Sequence, residues 1–131
     1  MPAMGNPRQW IAKAEQDYRT VLALSRLRVA PVPDSVCFHA QQCAEKYLKA
    51  LLIRERTPFP HTHDLIRLLD LLLPIHPPLT LLRPALLELK PLAVEVRYPG
   101  RSMTPSQARL ARQRMDAVRS SLRKTLGLQK P

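Results

Sequence analysis

The segment from Ser35 to Glu55 constrains the fold most, because it contains neither proline nor glycine in a chain that has 14 prolines. Pro33 precedes this segment and Pro58 follows it. Proline restricts its own backbone and disfavours helix at the residue before it, so prolines at both ends mark the limits of a helix. The segment therefore predicts one long helix, for which Asp34 is the expected cap.

Four further helices are predicted where apolar residues recur at helical spacing beside capping residues and prolines. Asn6 followed by Pro7 begins the first, and Thr104 followed by Pro105 begins the last. No segment alternates like a half-buried strand, so we predict an all-α, up-and-down bundle of about five helices with the second helix central. It is expected to be one domain over residues 1–131, with a frayed tail over 127–131. The helices are expected over residues 7–28, 35–55, 62–73, 80–96 and 105–126.

The composition excludes several classes of protein. Only three glycines occur, which excludes a glycine-rich phosphate loop and a nucleophile elbow. Cys37 and Cys43 lie on one predicted helix and diverge too far to bridge each other, which suits a reducing compartment. No apolar run reaches the roughly 18 residues of a membrane span, and the first residues lack an apolar export signal. We therefore expect a cytoplasmic protein that does not cross a membrane.

The net charge of +11 is concentrated toward the end of the sequence. Residues 97–131 contain nine basic side chains and one acidic side chain, whereas residues 34–96 contain seven of each. Such an asymmetry favours a polyanionic partner, either a nucleic acid or an acidic protein. Four arginines of the last helix are expected on one basic stripe, which is either an ordinary solvated face or a ridge that tracks phosphates. They are Arg109, Arg112, Arg119 and Arg123.

The long helix carries a polar arc beside an apolar arc of roughly 200°, which is wider than one neighbouring helix can cover. Gln41 and Glu45 lie at the margin of the polar arc and are expected to be partly buried. Glu45 and Lys49 have the spacing of an i,i+4 ion pair, which is either a helix-stabilising pair beside the core or part of a polar site. The polar arc itself contains His39, Gln42, Lys46 and Lys49.

Two histidines, His61 and His63, occur just before the third predicted helix. Together with His39 and Asp64 they have the residue types of a metal site, but Asp64 is explained more simply as a helix cap. We therefore predict neither a metal nor a cofactor. His63, at the start of a helix, suits a general base.

The run Phe38–Leu52, FHAQQCAEKYLKALL, closely resembles the signature helix of the HEPN family. The loop Pro60–Leu65 and the run Arg97-Tyr98-Pro99 fall at matching places in that family. The resemblance covers nearly the whole chain. It implies a five-helix bundle, commonly a homodimer, encoded in prokaryotes beside a minimal nucleotidyltransferase and often acting with it as a toxin and antitoxin pair.

The same resemblance implies functional residues. Many members look like RNA-cleaving enzymes in which a histidine follows an arginine near the start of the last long helix. Here residues 97–104 contain the arginine but no histidine, so the motif is incomplete and enzymatic activity is left open. The candidate catalytic residues are Arg97, Tyr98 and His63. The candidate nucleotide- or phosphate-binding residues are Gln42, Glu45, Lys46, Lys49 and Arg97.

These observations lead to a hypothesis and two alternatives. The hypothesis is a HEPN-type module that binds nucleotide or RNA and acts with a minimal nucleotidyltransferase as a toxin–antitoxin component. The alternatives are an active metal-independent ribonuclease toxin and a non-catalytic helical adaptor. Arg97 is expected to lie against Glu45, in a cluster that either locks the helices together or binds a phosphate.

Overall fold

The computed structural model describes residues 5–96 and 98–128, except for the side chain of Glu95. Within these residues every regular element is helical and no strand occurs, which confirms the all-α prediction. None of the described helices is long and apolar enough to cross a membrane. The elements are α1 (Pro7–Ser25), α2 (Pro33–Arg54), α3 (Leu65–Leu72), a 3-10 helix (Pro77–Leu82), α4 (Arg83–Leu89), α5 (Leu92–Glu95) and α6 (Pro105–Thr125).

Helices α1 and α6 begin where their capping residues predict. Asn6 Oδ1 accepts a hydrogen bond from the Gln9 amide at 3.0 Å, and Gln9 Oε1 accepts one from the Asn6 amide at 2.8 Å. Thr104 and Gln107 form the same reciprocal pair at the start of α6. Each pair satisfies two of the amides that the start of a helix leaves without partners.

The far end of α1 differs from the prediction, whereas α6 ends within one residue of the expected position. Helix α1 stops at Ser25, earlier than expected, because the loop to the proline-led α2 begins there. Gly127 has a φ of +75°, which lets the Leu128 amide donate to the Arg123 carbonyl at 2.9 Å. Gly127 and Leu128 therefore close the end of the last helix, and residues 129–131 lie outside the described part of the chain.

Helix α2 is the centre of the bundle, as predicted. It contacts α1, α3, α4, α5 and α6. Its wide apolar arc is therefore covered by several neighbours within one chain. Its largest fully buried side chains are Tyr47, Leu48, Leu51 and Leu52.

The start of α2 corrects the predicted cap. The helix begins at Pro33 rather than Ser35, and Asp34 is a residue of its first turn. Proline at the first helical position has no amide that needs an acceptor. The Asp34 carboxylate instead accepts a hydrogen bond from the Met103 amide at 2.6 Å, and so holds the loop that leads into α6.

The region between α2 and α6 is more broken than predicted. Helix α3 begins at Leu65 with Asp64 as its N-cap, so Thr62 and His63 lie in the preceding loop. In place of one fourth helix, the chain forms the 3-10 helix, α4 and α5. Pro91 separates α4 from α5 because it has no amide to donate to the preceding turn.

Candidate functional site

Glu45 on α2 is the centre of the first of two polar clusters. Its buried carboxylate accepts hydrogen bonds from Gln41 Nε2 at 3.2 Å, Lys49 Nζ at 3.0 Å and His63 Nδ1 at 2.9 Å. Gln41 Nε2 also donates to the His63 carbonyl at 3.3 Å. Burying a carboxylate is costly without such donors, so these contacts hold the loop before α3 against α2.

Lys49 closes the inner side of the Glu45 cluster. Its side chain is only 8% exposed, and its ammonium lies 5.5 Å from the centroid of the Trp10 ring and 6.0 Å from that of Phe59. Aromatic faces stabilise a cation that has lost its water. The ammonium is thus enclosed by Glu45 and two rings, a position that favours a structural role over the predicted phosphate contact.

His63 forms the outer side of the same cluster. Its side chain is 63% exposed although Glu45 holds its Nδ1. A carboxylate only accepts hydrogen bonds, so Nδ1 carries the hydrogen in this contact and Nε2 is left for other partners. The ring is therefore oriented by a buried partner and reachable from solvent.

Asp17 on α1 is the centre of the second cluster. Its Oδ1 accepts a hydrogen bond from His39 Nδ1 at 2.8 Å, and its Oδ2 accepts one from Lys46 Nζ at 2.6 Å. The Asp17 carboxylate is buried, whereas the side chains of His39 and Lys46 are 32% and 23% exposed. Both clusters therefore combine one buried carboxylate, one histidine Nδ1 and one lysine ammonium.

Gln42 belongs to the Glu45 cluster through Gln41. Its Nε2 donates to Gln41 Oε1 at 2.7 Å, and Gln41 in turn donates to Glu45. Helix α2 thus positions four of the predicted binding residues, although Lys46 belongs to the Asp17 cluster and the other three to the Glu45 cluster. These residues are Gln42, Glu45, Lys46 and Lys49.

A third carboxylate, that of Glu15 on α1, connects three helices. Arg119 of α6 donates to both of its oxygens, at 2.7 and 2.8 Å, and the Tyr47 hydroxyl also donates to it. Arg123 donates to the Tyr47 oxygen at 3.0 Å, and Arg119 Cζ lies 3.6 Å from the centroid of the Tyr18 ring. Burial raises the pKa of Glu15, but its hydrogen bonds with Arg119 and Tyr47 and the arginine charges outweigh burial and lower it.

This network corrects the predicted basic stripe of the last helix. Arg119 is buried and Arg123 is mostly enclosed, because both turn toward Glu15 instead of solvent. Arg109 and Arg112 remain at the surface, where they line a groove of about 370 Å³ between the end of α1, the start of α2 and the start of α6. The exposed part of the stripe is therefore this pair.

The three predicted catalytic residues fall in different parts of the structure. His63 belongs to the Glu45 cluster, and Tyr98 is exposed in the loop before α6. Arg97 lies outside the described residues, so its contact with Glu45 stays a prediction. Among the residues that the structure describes, no group of three or more histidine, cysteine, aspartate or glutamate side chains could hold a metal ion.

Neither Glu15 nor Asp17 lies in a sequence motif that predicts a site. One signal is available for Asp17, which shares the buried stripe of α1 with Ala14 and Val21. An acidic side chain on such a stripe needs a partner. The partner lies on another helix, however, and the spacing within α1 does not reveal it.

The comparison with protein families gives one result that spans the bundle. The model of the HEPN domain family matches residues 7–125, from the first residue of α1 to the last of α6. Neither the comparison with curated proteins nor that with solved structures gave a match. HEPN domains are in general nucleotide- or RNA-directed modules, and they often dimerise. Because the match covers nearly the whole chain and all of its described helices, the chain belongs to the HEPN family.

Proposed function

We propose that the chain binds nucleotide or RNA as a homodimeric HEPN module and acts with a minimal nucleotidyltransferase in a toxin–antitoxin pair. The observation that carries the RNA-directed part is the His63 imidazole, which is exposed although the buried Glu45 holds its Nδ1. Holding a side chain in one orientation costs conformational entropy that a ligand would otherwise have to offset. The nucleotidyltransferase partner follows from the family resemblance of the α2 run.

The charge distribution supports the same function. The segment from residue 97 onward carries nine of the 21 basic side chains and one of the ten acidic ones. A net positive charge attracts polyanions over distances longer than any single contact. It would bring RNA to the bundle, where His63 and the predicted Arg97 supply short-range contacts.

We expect the purified protein to bind single-stranded RNA in the presence of a chelator without cleaving it. His63→Ala should weaken binding about three- to tenfold, the effect of losing one hydrogen bond to an oriented group. His61→Ala is the matched control, because His61 is an exposed histidine of the same loop. Fluorescence anisotropy with a labelled RNA measures affinity, and a denaturing gel of the same samples reports cleavage. Equal affinities of the wild type and His63→Ala would contradict the proposed role of His63.

A second candidate function is a metal-independent ribonuclease that uses Arg97, Tyr98 and His63. The observation that favours it is again the Glu45–His63 pair, since a carboxylate on Nδ1 leaves Nε2 as the basic nitrogen of a neutral ring. Cleavage that resists the chelator and is lost in both Arg97→Ala and His63→Ala, but not in Arg67→Ala, would replace the binding-only function with this one.

The partner is tested separately. The chain is co-expressed with a minimal nucleotidyltransferase, the proposed partner, and one affinity tag is used to purify the complex. We expect both proteins to elute together, with a mass from light scattering that includes two copies of this chain. A chain that elutes alone, or as a monomer, would contradict the partner or the homodimer respectively, whatever the RNA measurements show.

A further inference from the structure

The Asp17 cluster differs from the Glu45 cluster in what it presents to solvent. In the Glu45 cluster the lysine is enclosed by Trp10 and Phe59. In the Asp17 cluster both the histidine and the lysine are partly exposed, and only the carboxylate is buried. The His39 imidazole and the Lys46 ammonium thus lie next to each other at the surface, and both are bound to the buried Asp17 carboxylate.

We propose that His39 and Lys46 bind the ribose 3′-phosphate unit of RNA, with Asp17 as the positioning residue. This inference rests on the proposed RNA-directed function and names a second contact site for it, on the face of α2 that packs against α1. The ligand class follows from the chemistry of the two exposed groups.

His39 supplies the contact with the ribose hydroxyl. Asp17 Oδ1 accepts from His39 Nδ1, so Nε2 is the nitrogen that can accept a hydrogen bond when the ring is neutral. The Phe38 ring lies edge-on to the imidazole, with centroids 5.4 Å apart and an angle of 84° between the planes, and helps to orient it. An oriented acceptor of this kind takes a hydrogen bond from the 2′-hydroxyl, a group that DNA lacks.

Lys46 supplies the contact with the phosphate. Asp17 Oδ2 takes one of the three hydrogens of its ammonium, which leaves two for a ligand. The ammonium and the imidazole are bound to the two oxygens of the same carboxylate, so they are neighbours. In RNA the 2′-hydroxyl and the 3′-phosphate are also neighbours, on adjacent carbons of one ribose.

The test compares RNA with DNA of the same sequence. Anisotropy with labelled single strands of each kind should show that wild type prefers RNA by about three- to tenfold, the effect of one additional hydrogen bond. His39→Gln should bring this ratio to about one while the affinity for DNA is unchanged. Asp17→Asn should also bring the ratio to about one, but with a weaker affinity for DNA, because Asp17 positions Lys46 as well. Lys46→Gln should weaken RNA and DNA equally and reduce the salt dependence of binding by about 0.7 in the log–log slope.

Lys13→Gln is the matched control for Lys46→Gln, because Lys13 is an exposed lysine of α1. Thermal melting of each variant checks the fold. General damage would weaken RNA and DNA together, so the ratio separates a positioning role of Asp17 from a structural one. A ratio that stays at the wild-type value in His39→Gln overturns the inference but leaves the proposed function intact. No binding of any RNA by wild type would instead overturn the proposed function.

A second measurement requires no substitution in the site. Adenosine 3′-monophosphate and its 2′-deoxy counterpart are titrated into the wild-type protein labelled at histidine, and the imidazole resonances are followed by NMR. We expect the ribonucleotide to shift the His39 signals at concentrations where the deoxyribonucleotide does not. Equal shifts with the two nucleotides, or shifts confined to other histidines, would overturn the inference.

Discussion

Three carboxylates of the bundle, those of Glu15, Asp17 and Glu45, lie largely away from water, and each has at least two donors. Taking a carboxylate out of water costs several kcal/mol, and removing one partner of a buried pair costs about 3–5 kcal/mol. The three buried carboxylates therefore hold the neighbouring cationic side chains in place as their partners. Among the described partners of these acids, those that also reach the surface, and so are available to a ligand, are His39, Lys46 and His63.

The pairing of Glu15 with Arg119 makes the stability of the fold depend on pH. Its pKa is raised by burial but lowered overall by Arg119, Tyr47 and Arg123. A lowered folded-state pKa contributes stability that is fully present above the pKa of the unfolded chain and is lost as pH falls through the folded-state value. We expect Glu15→Gln to lower the free energy of unfolding at pH 7 by about 3 kcal/mol, because Arg119 then stays buried without its counter-charge.

Urea denaturation at several pH values between 3 and 7 measures both effects. The stability of Glu15→Gln should also change less than that of wild type over the acidic part of this range. Asp116→Asn is the control, since Asp116 is an exposed acid on the helix that carries Arg119, and its loss should change stability by less than about 0.5 kcal/mol. If Glu15→Gln is as stable as wild type at pH 7, the Glu15 network does not stabilise the fold.

At the scale of the element, the sequence predicts the start of a helix best where the capping partners are close in sequence. Asn6 and Thr104 cap α1 and α6 as predicted, because a capping box uses only residues within one turn. The predicted cap at Asp34 is wrong, because the Asp34 carboxylate accepts a hydrogen bond from the Met103 amide, which is distant in sequence. A local pattern reveals an element boundary only where the partners are local.

Helix α3 offers a test of such a local cap. Asp64 Oδ1 accepts hydrogen bonds from the Ile66 and Arg67 amides at 3.0 and 3.3 Å. We expect Asp64→Ala to lower the free energy of unfolding by about 1 kcal/mol, and Asp64→Asn to recover most of that loss, because asparagine also caps. Asp70→Ala is the control, an exposed acid at the other end of α3. Chemical denaturation would contradict the cap if the alanine and asparagine variants were equally unstable.

At the scale of the whole molecule, the sequence predicts the net charge of a segment better than it predicts which of the charged side chains are exposed. The excess of basic residues after residue 97 is visible in the sequence, but two of the four arginines expected at the surface face the interior. Periodicity gives the angle of Arg119 about its own helix axis. It does not give the position of Glu15, which is 104 residues away in sequence. Periodicity likewise predicts the polar arc of α2, because the arc is a property of one helix. It does not predict the contact with Asp17, which lies on another helix.

The exposed part of the stripe leads to a prediction about salt. We expect the double charge reversal Arg109→Glu with Arg112→Glu to weaken RNA binding and to flatten its dependence on salt, because fewer counterions are released. Anisotropy titrations from low to physiological salt measure the slope. The matched control reverses Arg8 and Arg19, two exposed arginines of α1. Equal slopes for the two double variants would return Arg109 and Arg112 to an ordinary solvated face.

The contact between Glu15 and Arg119 also bears on the order in which the chain assembles. During synthesis α1 and α2 leave the ribosome before residue 119, so until α6 is made the Glu15 carboxylate has no Arg119 to pair with. Docking of α6 supplies that arginine together with the apolar side chains that complete the core. Pairing of the Glu15 carboxylate and completion of the core therefore both depend on the helix that is synthesised last.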